Sequence, residues 1–273
     1  MKDSSPLVSI IIPVYNTGSS AKALIKSLLK DSYKNLEIIA VDDGSTDDSL
    51  ALLKSLSDPR LIIKSKENGG ASSARNLGLS LSKGKYLLFI DSDDEVSPAF
   101  ISRLVKEAEA PKVSLCVSGI RYKKLNKNLE TLDGIKPFFK KKNESTKSLV
   151  LRSLLTDGRM YAVFNKIFQS KVIKSNSIRF DESLNFAEDT KFVLDYLKFA
   201  KGEIKFILEP LYIYNFGTET STIKKSGKIW NNWQTSFKNL KQWVGKSPTL
   251  REKFLLLLIH CRWYVSYRRS KNV

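Results

Sequence analysis

Tyr86-Leu87-Leu88-Phe89-Ile90-Asp91-Ser92-Asp93-Asp94 sets five apolar residues directly against three carboxylates. An unbroken apolar run of this length, ended by turn-forming residues, reads as a strand buried on both faces. Such a strand belongs to an open α/β sheet, where ligands bind at the carboxyl ends of the strands. Asp91, Asp93 and Asp94 crowded at that edge repel one another unless a cation neutralises them. Oxygen-only donors select a hard ion, Mg²⁺ or Mn²⁺, of the kind that joins protein carboxylates to a substrate's phosphates. Taken alone, the cluster fits that reading and an Asp-rich turn capping the next helix equally well.

The chain on the amino-terminal side repeats the same grammar. Leu7-Val8-Ser9-Ile10-Ile11-Ile12 is a first strand, stopped by Pro13, and Leu24, Ile25, Leu28 and Leu29 follow at helical spacing. Leu36-Glu37-Ile38-Ile39-Ala40-Val41 is a second strand ending in Asp42-Asp43-Gly44-Ser45. Ser45, Thr46 and Asp47 are caps for a helix with Leu50, Leu53 and Leu56 on one face. Leu61-Ile62-Ile63 is a third strand, Asn68-Gly69-Gly70 a turn, and residues 71–81 a helix. The alternation predicts an α/β fold with a Rossmann-like, mostly parallel sheet covered by helices on both faces. It also places Pro13-Val14-Tyr15, Asp42-Asp43 and Asp91-Asp93 on one rim.

Further on, residues 113–122 read as one strand and 123–147 as a lysine-rich surface loop or hairpin. Residues 148–217 mix helices with short strands, among them Lys205-Phe206-Ile207-Leu208 and Leu211-Tyr212-Ile213-Tyr214. The remainder changes character. Trp230, Trp233, Trp243 and Trp263 lie there, and from residue 220 onward Glu252 is the single acid among many lysines and arginines. These shifts predict a catalytic domain over residues 1–222, with a nucleotide-binding half to about 110 and an acceptor half over 111–222. A basic, Trp-rich helical extension over 223–273 follows.

The 273 residues, 42% of them hydrophobic, suffice for a sizeable core. Two cysteines and one histidine, without metal-ligand spacing, exclude a Cys/His zinc site. A net charge of +18 calls for an anionic partner: nucleic acid, a membrane surface or a polyanionic polymer. Nucleic acid is not expected, because the charge is diffuse and no binding module is present. The polar start of the chain does not read as a signal peptide, and no apolar stretch reaches membrane-span length. The expected location is the cytoplasm, with a peripheral place at the inner face of the cell membrane if the tail binds it.

The ordered series Val8-Ser9-Ile10-Ile11-Ile12-Pro13-Val14-Tyr15-Asn16, Val41-Asp42-Asp43-Gly44-Ser45-Thr46-Asp47, Asn68-Gly69-Gly70, Ala74-Arg75-Asn76-Leu77-Gly78 and Phe89-Ile90-Asp91-Ser92-Asp93-Asp94 resembles the family 2 glycosyltransferases of GT-A fold. Asn165-Lys166-Ile167-Phe168 and Ala187-Glu188-Asp189-Thr190 continue the resemblance, which covers residues 7–222 and weakens afterwards. It implies an inverting transfer of a hexose or N-acetylhexosamine from a UDP-sugar, assisted by Mn²⁺ or Mg²⁺. The acceptor would be a glycan, lipid-linked or protein-linked, of a bacterial cell-surface polysaccharide. By the same resemblance, Pro13, Val14 and Tyr15 line the base and ribose pocket. Asp43, with Asp42 as the neighbour open to confusion, accepts from the base. Asp91 and Ser92 lie beside the ribose and diphosphate, Asp93 with Asp91 holds the metal, and Arg75 lies near the diphosphate. Asp189 is the general base, and Glu188 orients the acceptor or shares the role.

Chemistry supports these assignments, and simpler readings stand beside several of them. A cation at Asp93 stabilises the charge that builds on a leaving diphosphate. Arg75 adds a fork of donors there, or is a surface ion pair. Asn68-Gly69-Gly70 brings backbone close to the donor, or is an ordinary turn. Tyr15 stacks on the base or packs in the core. Asp189 precedes an amphipathic helix, where a carboxylate is kept ionised and where a plain cap would also sit. Asn165-Lys166 serves either the pocket or the scaffold. The tail packs on the catalytic domain, touches an anionic membrane, or binds a glycopolymer. A non-catalytic sugar-nucleotide or polyanion binder is the alternative class, opposed by the presence of Asp43, Asp93 and Asp189.

Overall fold

The computed structural model describes residues 5–124, 145–156, 160–184, 187–216 and 229–270. In chain order it begins β1 (Val8–Val14), α1 (Gly18–Lys30), β2 (Leu36–Asp42), α2 (Ser49–Lys54), β3 (Leu61–Ser65), α3 (Gly70–Leu81) and β4 (Tyr86–Phe89). There follow β5 (Glu95–Val96), α4 (Phe100–Ala108), β6 (Val113–Val117), β7 (Ile120–Lys124), α5 (Thr146–Thr156), β8 (Lys166–Gln169) and α6 (Ser170–Ser175). The last elements are α7 (Glu188–Phe199), β9 (Glu203–Phe206), β10 (Tyr212–Phe216), α8 (Ile229–Val244) and α9 (Leu250–Ser270).

Seven strands form the main sheet in the order β3-β2-β1-β4-β8-β6-β9. The first four are mutually parallel, with Ile11 opposite both Ile39 and Phe89. β8 runs antiparallel between β4 and β6, and β9 is parallel to β6. Because strand side chains alternate between faces, the apolar runs feed two cores at once. Ile11, Ile39, Val41 and Phe89 enter one cluster, together with residues of α3, α5, α6 and α7. Ile10, Ile12, Ile38 and Leu88 enter the other, with residues of α1, α2 and α4. This is the expected mostly parallel α/β sheet with helices on both faces.

Two local expectations are corrected. β1 does not stop before Pro13: it continues to Val14, with Pro13 in register with Val41. β4 pairs with β1 only up to Phe89 opposite Ile11, so the proline sits where that side carries no ladder. Residues 113–122 are two strands in two sheets, since β7 joins β10 and β5 in a small second sheet. The chain switches sheets at Ser118-Gly119, whose amides donate to Asn165 O and Glu209 O instead of continuing one ladder. Of the lysine-rich 123–147 stretch, residues 125–144 lie outside the described set.

The carboxyl-terminal helices share the core of the sheet. α8 packs against α7, and α9 against α5 and α8. Leu240, Trp243, Val244, Leu256 and Ile259 belong to the same buried cluster as Phe192 and Val193 of α7. The side chains of Trp230, Trp233 and Trp263 lie outside the described set. Among the described residues, no helix is long and apolar enough to cross a membrane.

Candidate active site

The parallel strands end on one rim, as their register requires. After β1 and β2, Asp43 N donates to Val14 O at 2.8 Å, drawing the two strand ends together. The Asp43 carboxylate, almost completely buried, accepts from Lys66 Nζ at 2.9 Å, from Gly69 N at 3.1 Å and from Gly70 N at 2.7 Å. Asn68 Nδ2 donates to Asp43 O at 2.8 Å. Asn68-Gly69-Gly70 is thus a backbone nest wrapped around a carboxylate where α3 begins. Gly44 permits the approach: its φ is +71°, and a Cβ there would lie 2.8 Å from Asn68 N. Gly69 N also lies 3.2 Å from the second carboxylate oxygen, so the loop engages both oxygens twice and takes up the roughly four acceptor positions of the group. Asp42 is buried beneath it, accepting from Ser65 Oγ at 2.9 Å, while its Oδ1 has no hydrogen-bond partner among the described residues. Val14 is buried, and Tyr15 stands 45% exposed at the end of β1.

The turn after Tyr15 is tied across the rim. Asn16 has φ 52°, a left-handed conformation uncommon outside glycine, and its Oδ1 accepts from Thr46 N at 2.8 Å. Thr17 Oγ1 lies 2.8 Å from Ser92 Oγ. Ser92 is therefore buried in a contact between the β1 and β4 strand ends.

The three carboxylates after β4 part company. Asp94 is buried and turned toward the second sheet, where Tyr212 Oη donates to it at 2.6 Å and Asn215 N at 2.8 Å. Burial pushes its carboxyl up to about 9, and neighbouring Asp91 adds to the rise. The helix-cap reading does not apply to Asp94, since α4 begins only at Phe100. Asp91 and Asp93 remain partly exposed at the rim. Asn215 Nδ2 donates to Asp93 O at 2.7 Å, fixing that backbone from below.

Arg75, on α3, is not a surface residue. Its side chain is 5% exposed, and its guanidinium spans carboxylates from two distant elements. Nη2 donates to Asp91 Oδ1 at 2.7 Å, and Nη1 to Asp189 Oδ1 at 3.1 Å, with Glu188 Oε1 at 3.9 Å. Phe180 lies beneath it, the guanidinium carbon 5.3 Å from the ring centre. The same ring stacks on Phe192 at 4.2 Å, and both meet Phe89 edge-on. An aromatic wedge between β4 and α7 therefore delivers the start of α7 to the acidic rim. Ala187, just before α7, has φ 62°. Two of the four non-glycine residues with positive φ among the described residues, Asn16 and Ala187, thus flank this rim.

Asp189 Oδ2 also accepts from Val163 N at 3.3 Å, and its side chain is 18% exposed. Burial pushes its carboxyl up to about 7, against the lowering influence of Arg75. A group poised there exchanges protons readily near neutral pH. The three surrounding carboxylates conversely hold Arg75 firmly in its charged form. Asn165 and Lys166 are fully buried. Lys166 Nζ donates to Asn165 Oδ1 at 2.8 Å, and Asn165 Nδ2 to Ser118 O at 2.9 Å, so the pair braces the sheet-switching turn.

Among the described residues, no group of three or more His, Cys, Asp or Glu side chains could hold a metal ion. The donors at the rim suit a different arrangement. Asp91 and Asp93 place carboxylates at the edge of the sheet, with Asp91 Oδ1 accepting from Arg75. They are oxygen donors of the kind Mg²⁺ or Mn²⁺ takes, two carboxylates at an open edge rather than an all-protein cage.

Reasoning from sequence missed several members of this site. Lys66, Thr17, Phe180, Tyr212 and Asn215 each touch a rim residue. Only Lys66, two residues before the Asn68-Gly69-Gly70 turn, carried a local signal.

The glycosyl transferase family 2 model matches residues 9–175. The uncharacterized glycosyltransferase EpsJ of Bacillus subtilis (strain 168) is 33% identical over 214 residues, covering 77% of this chain and 61% of EpsJ. Glycosyltransferase GlyG of Streptococcus pneumoniae serotype 4 is 31% identical over 221 residues, covering 77% of this chain and 71% of GlyG. The crystal structure of S. aureus TarS 1-349 in complex with UDP-GlcNAc has a TM-score of 0.73 at 22% identity, over 91% of this chain and 70% of that one. The likeness to TarS is one of fold.

Proposed function

The chain belongs to glycosyl transferase family 2, and from that premise we propose that it is an inverting glycosyltransferase moving a hexose or N-acetylhexosamine from a UDP-sugar to a hydroxyl of a glycan, lipid-linked or protein-linked acceptor. The observation that carries this reading is the Arg75 bridge, which holds Asp189 beside the acidic rim that ends β4.

Tyr15, with Pro13, forms the wall against which uracil and ribose rest, while Val14, expected to line that pocket, is packed in the core behind them, and Asp43 accepts uracil N3–H in exchange for Lys66 Nζ. Asn68 keeps the Asp43 loop in shape. Ser92 and Asp91 border the ribose and diphosphate. Asp93 and Asp91 would hold a divalent cation, which when bound would neutralise charge on the leaving diphosphate. Asp189 accepts the proton of the acceptor hydroxyl as that oxygen attacks the anomeric carbon. The bond from that carbon to the diphosphate oxygen breaks on the opposite face, which inverts the centre. Arg75 and Val163 N each occupy one side of the Asp189 carboxylate, which leaves lone pairs for that proton. Glu188, at the first position of α7, orients the acceptor.

Incubation of the full chain with each UDP-sugar and Mn²⁺, reading released UDP, tests the reading. Turnover with one UDP-sugar and not with GDP- or ADP-sugars is the expected result. Absence of turnover with every nucleotide sugar, together with no UDP-induced thermal shift, refutes it.

A further inference from the structure

α9 is apolar on two opposite sides. On one side, Leu256 and Ile259 are buried in the cluster shared with α5 and α7. On the other, Leu250, Phe254, Leu257 and Leu258 are 85%, 59%, 57% and 39% exposed. At 3.6 residues per turn these four positions fall in one stripe along the helix. Exposed Cys261 extends it. A contiguous apolar ridge of this kind marks an interaction surface.

The chemistry beside the ridge selects the occupant. Arg251 and Lys253, both exposed, flank Leu250, Phe254 and Leu257, one on each side of the ridge. Glu252, the single acid beyond residue 220, is buried and accepts from Thr249 N at 2.9 Å and Ser145 Oγ at 3.0 Å, so its carboxylate sits on the packed side of α9, away from the ridge. A second copy of the chain would bring like-charged flanks together. A polyanionic glycan would engage the cations and leave Phe254 and Leu257 in water. An anionic bilayer satisfies both, taking the apolar ridge at the acyl boundary while the Lys and Arg stems extend their charges to the phosphates.

We propose that the Leu250-Phe254-Leu257-Leu258 ridge of α9, flanked by Arg251 and Lys253, seats this protein on an anionic lipid bilayer. The buried face of α9 holds the catalytic core while its opposite face holds the membrane, so packing and membrane contact are two sides of one helix. This surface is independent of the nucleotide chemistry proposed above.

Co-sedimentation of the full chain with vesicles of phosphatidylglycerol and phosphatidylcholine, beside pure phosphatidylcholine, tests it. Binding to the anionic vesicles that weakens with added salt is expected, with little binding to the neutral ones. Phe254→Ser/Leu257→Ser lowers that affinity by about tenfold or more. Arg251→Gln/Lys253→Gln lowers it by roughly fivefold for each charge removed. All four residues are exposed, so unchanged thermal unfolding certifies the variants. Failure of the parent chain to sediment with anionic vesicles overturns the proposal, as does equal binding by the Phe254→Ser/Leu257→Ser variant. A parent dimer that this variant dissociates reassigns the ridge to self-association, and selective loss of dextran sulfate binding reassigns it to a polymer.

Discussion

Arg75 donates to Asp189, 114 positions later in the chain, at 3.1 Å, and with its other amino group to Asp91 at 2.7 Å. One buried guanidinium thereby sets where the proposed base stands relative to the proposed metal site. Arg75→Lys keeps the charge and removes the fork. The expected outcome is a kcat reduced by about tenfold or more through displacement of Asp189, with a small change in KM for the UDP-sugar. A raised KM with kcat intact would instead place Arg75 on the diphosphate.

Arg75→Met leaves three partly buried carboxylates without their counter-charge. A loss of about 3–5 kcal/mol in unfolding free energy at pH 8 is expected from denaturant titration. The deficit shrinks toward pH 5, where Asp189, raised to about 7, carries its proton.

Asp189→Asn removes the proton acceptor and keeps the shape. Turnover should fall by roughly 10²–10⁴-fold while the thermal shift with UDP and metal persists. Loss of UDP binding in this variant would move the base elsewhere.

The pH profile carries the same signature. The base works deprotonated, so kcat/KM should rise with pH through about 7 and then level off. Stability moves the other way. A carboxyl raised from 3.8 to about 7 holds its proton more tightly in the folded chain, so its contribution is complete below pH 3.8 and lost as pH rises through about 7. Unfolding of the parent chain and of Asp189→Asn across this range isolates that contribution.

Asp93→Ala should abolish metal-dependent UDP release and leave metal-free UDP binding largely intact. Parent-like turnover with Mn²⁺ in this variant would remove Asp93 from the metal site.

Gly78→Ala tests the packing that carries Arg75. A Cβ at Gly78 would lie 2.4 Å from Ile11 Cγ2, so either the Ile11 side chain or α3 must shift. A destabilisation of about 1–3 kcal/mol is expected, with a fall in kcat because Arg75 rides on the same helix.

Local rules determined much of this protein. The apolar runs at residues 8–12, 36–41 and 86–90 specify buried parallel strands, because period and burial are written into consecutive residues. Strand ends on one rim then follow from parallel register, which is why Asp43, Asp91 and Asp93 were legible together. The sheet switch at Ser118-Gly119 was not, because an unbroken β-prone stretch does not say which neighbour each half pairs with.

What only the tertiary structure decided is the division of labour among the charges. In the sequence, Asp91, Asp93 and Asp94 are three equivalent carboxylates, and Arg75 is one basic residue among many. Packing distinguishes them. Tyr212 and Asn215, on β10, draw Asp94 inward, while Phe180 and Phe192 press α7 onto β4 and bring Asp189 to Arg75. Ionic roles depend on distance and burial across elements far apart in the chain, and no local pattern encodes those.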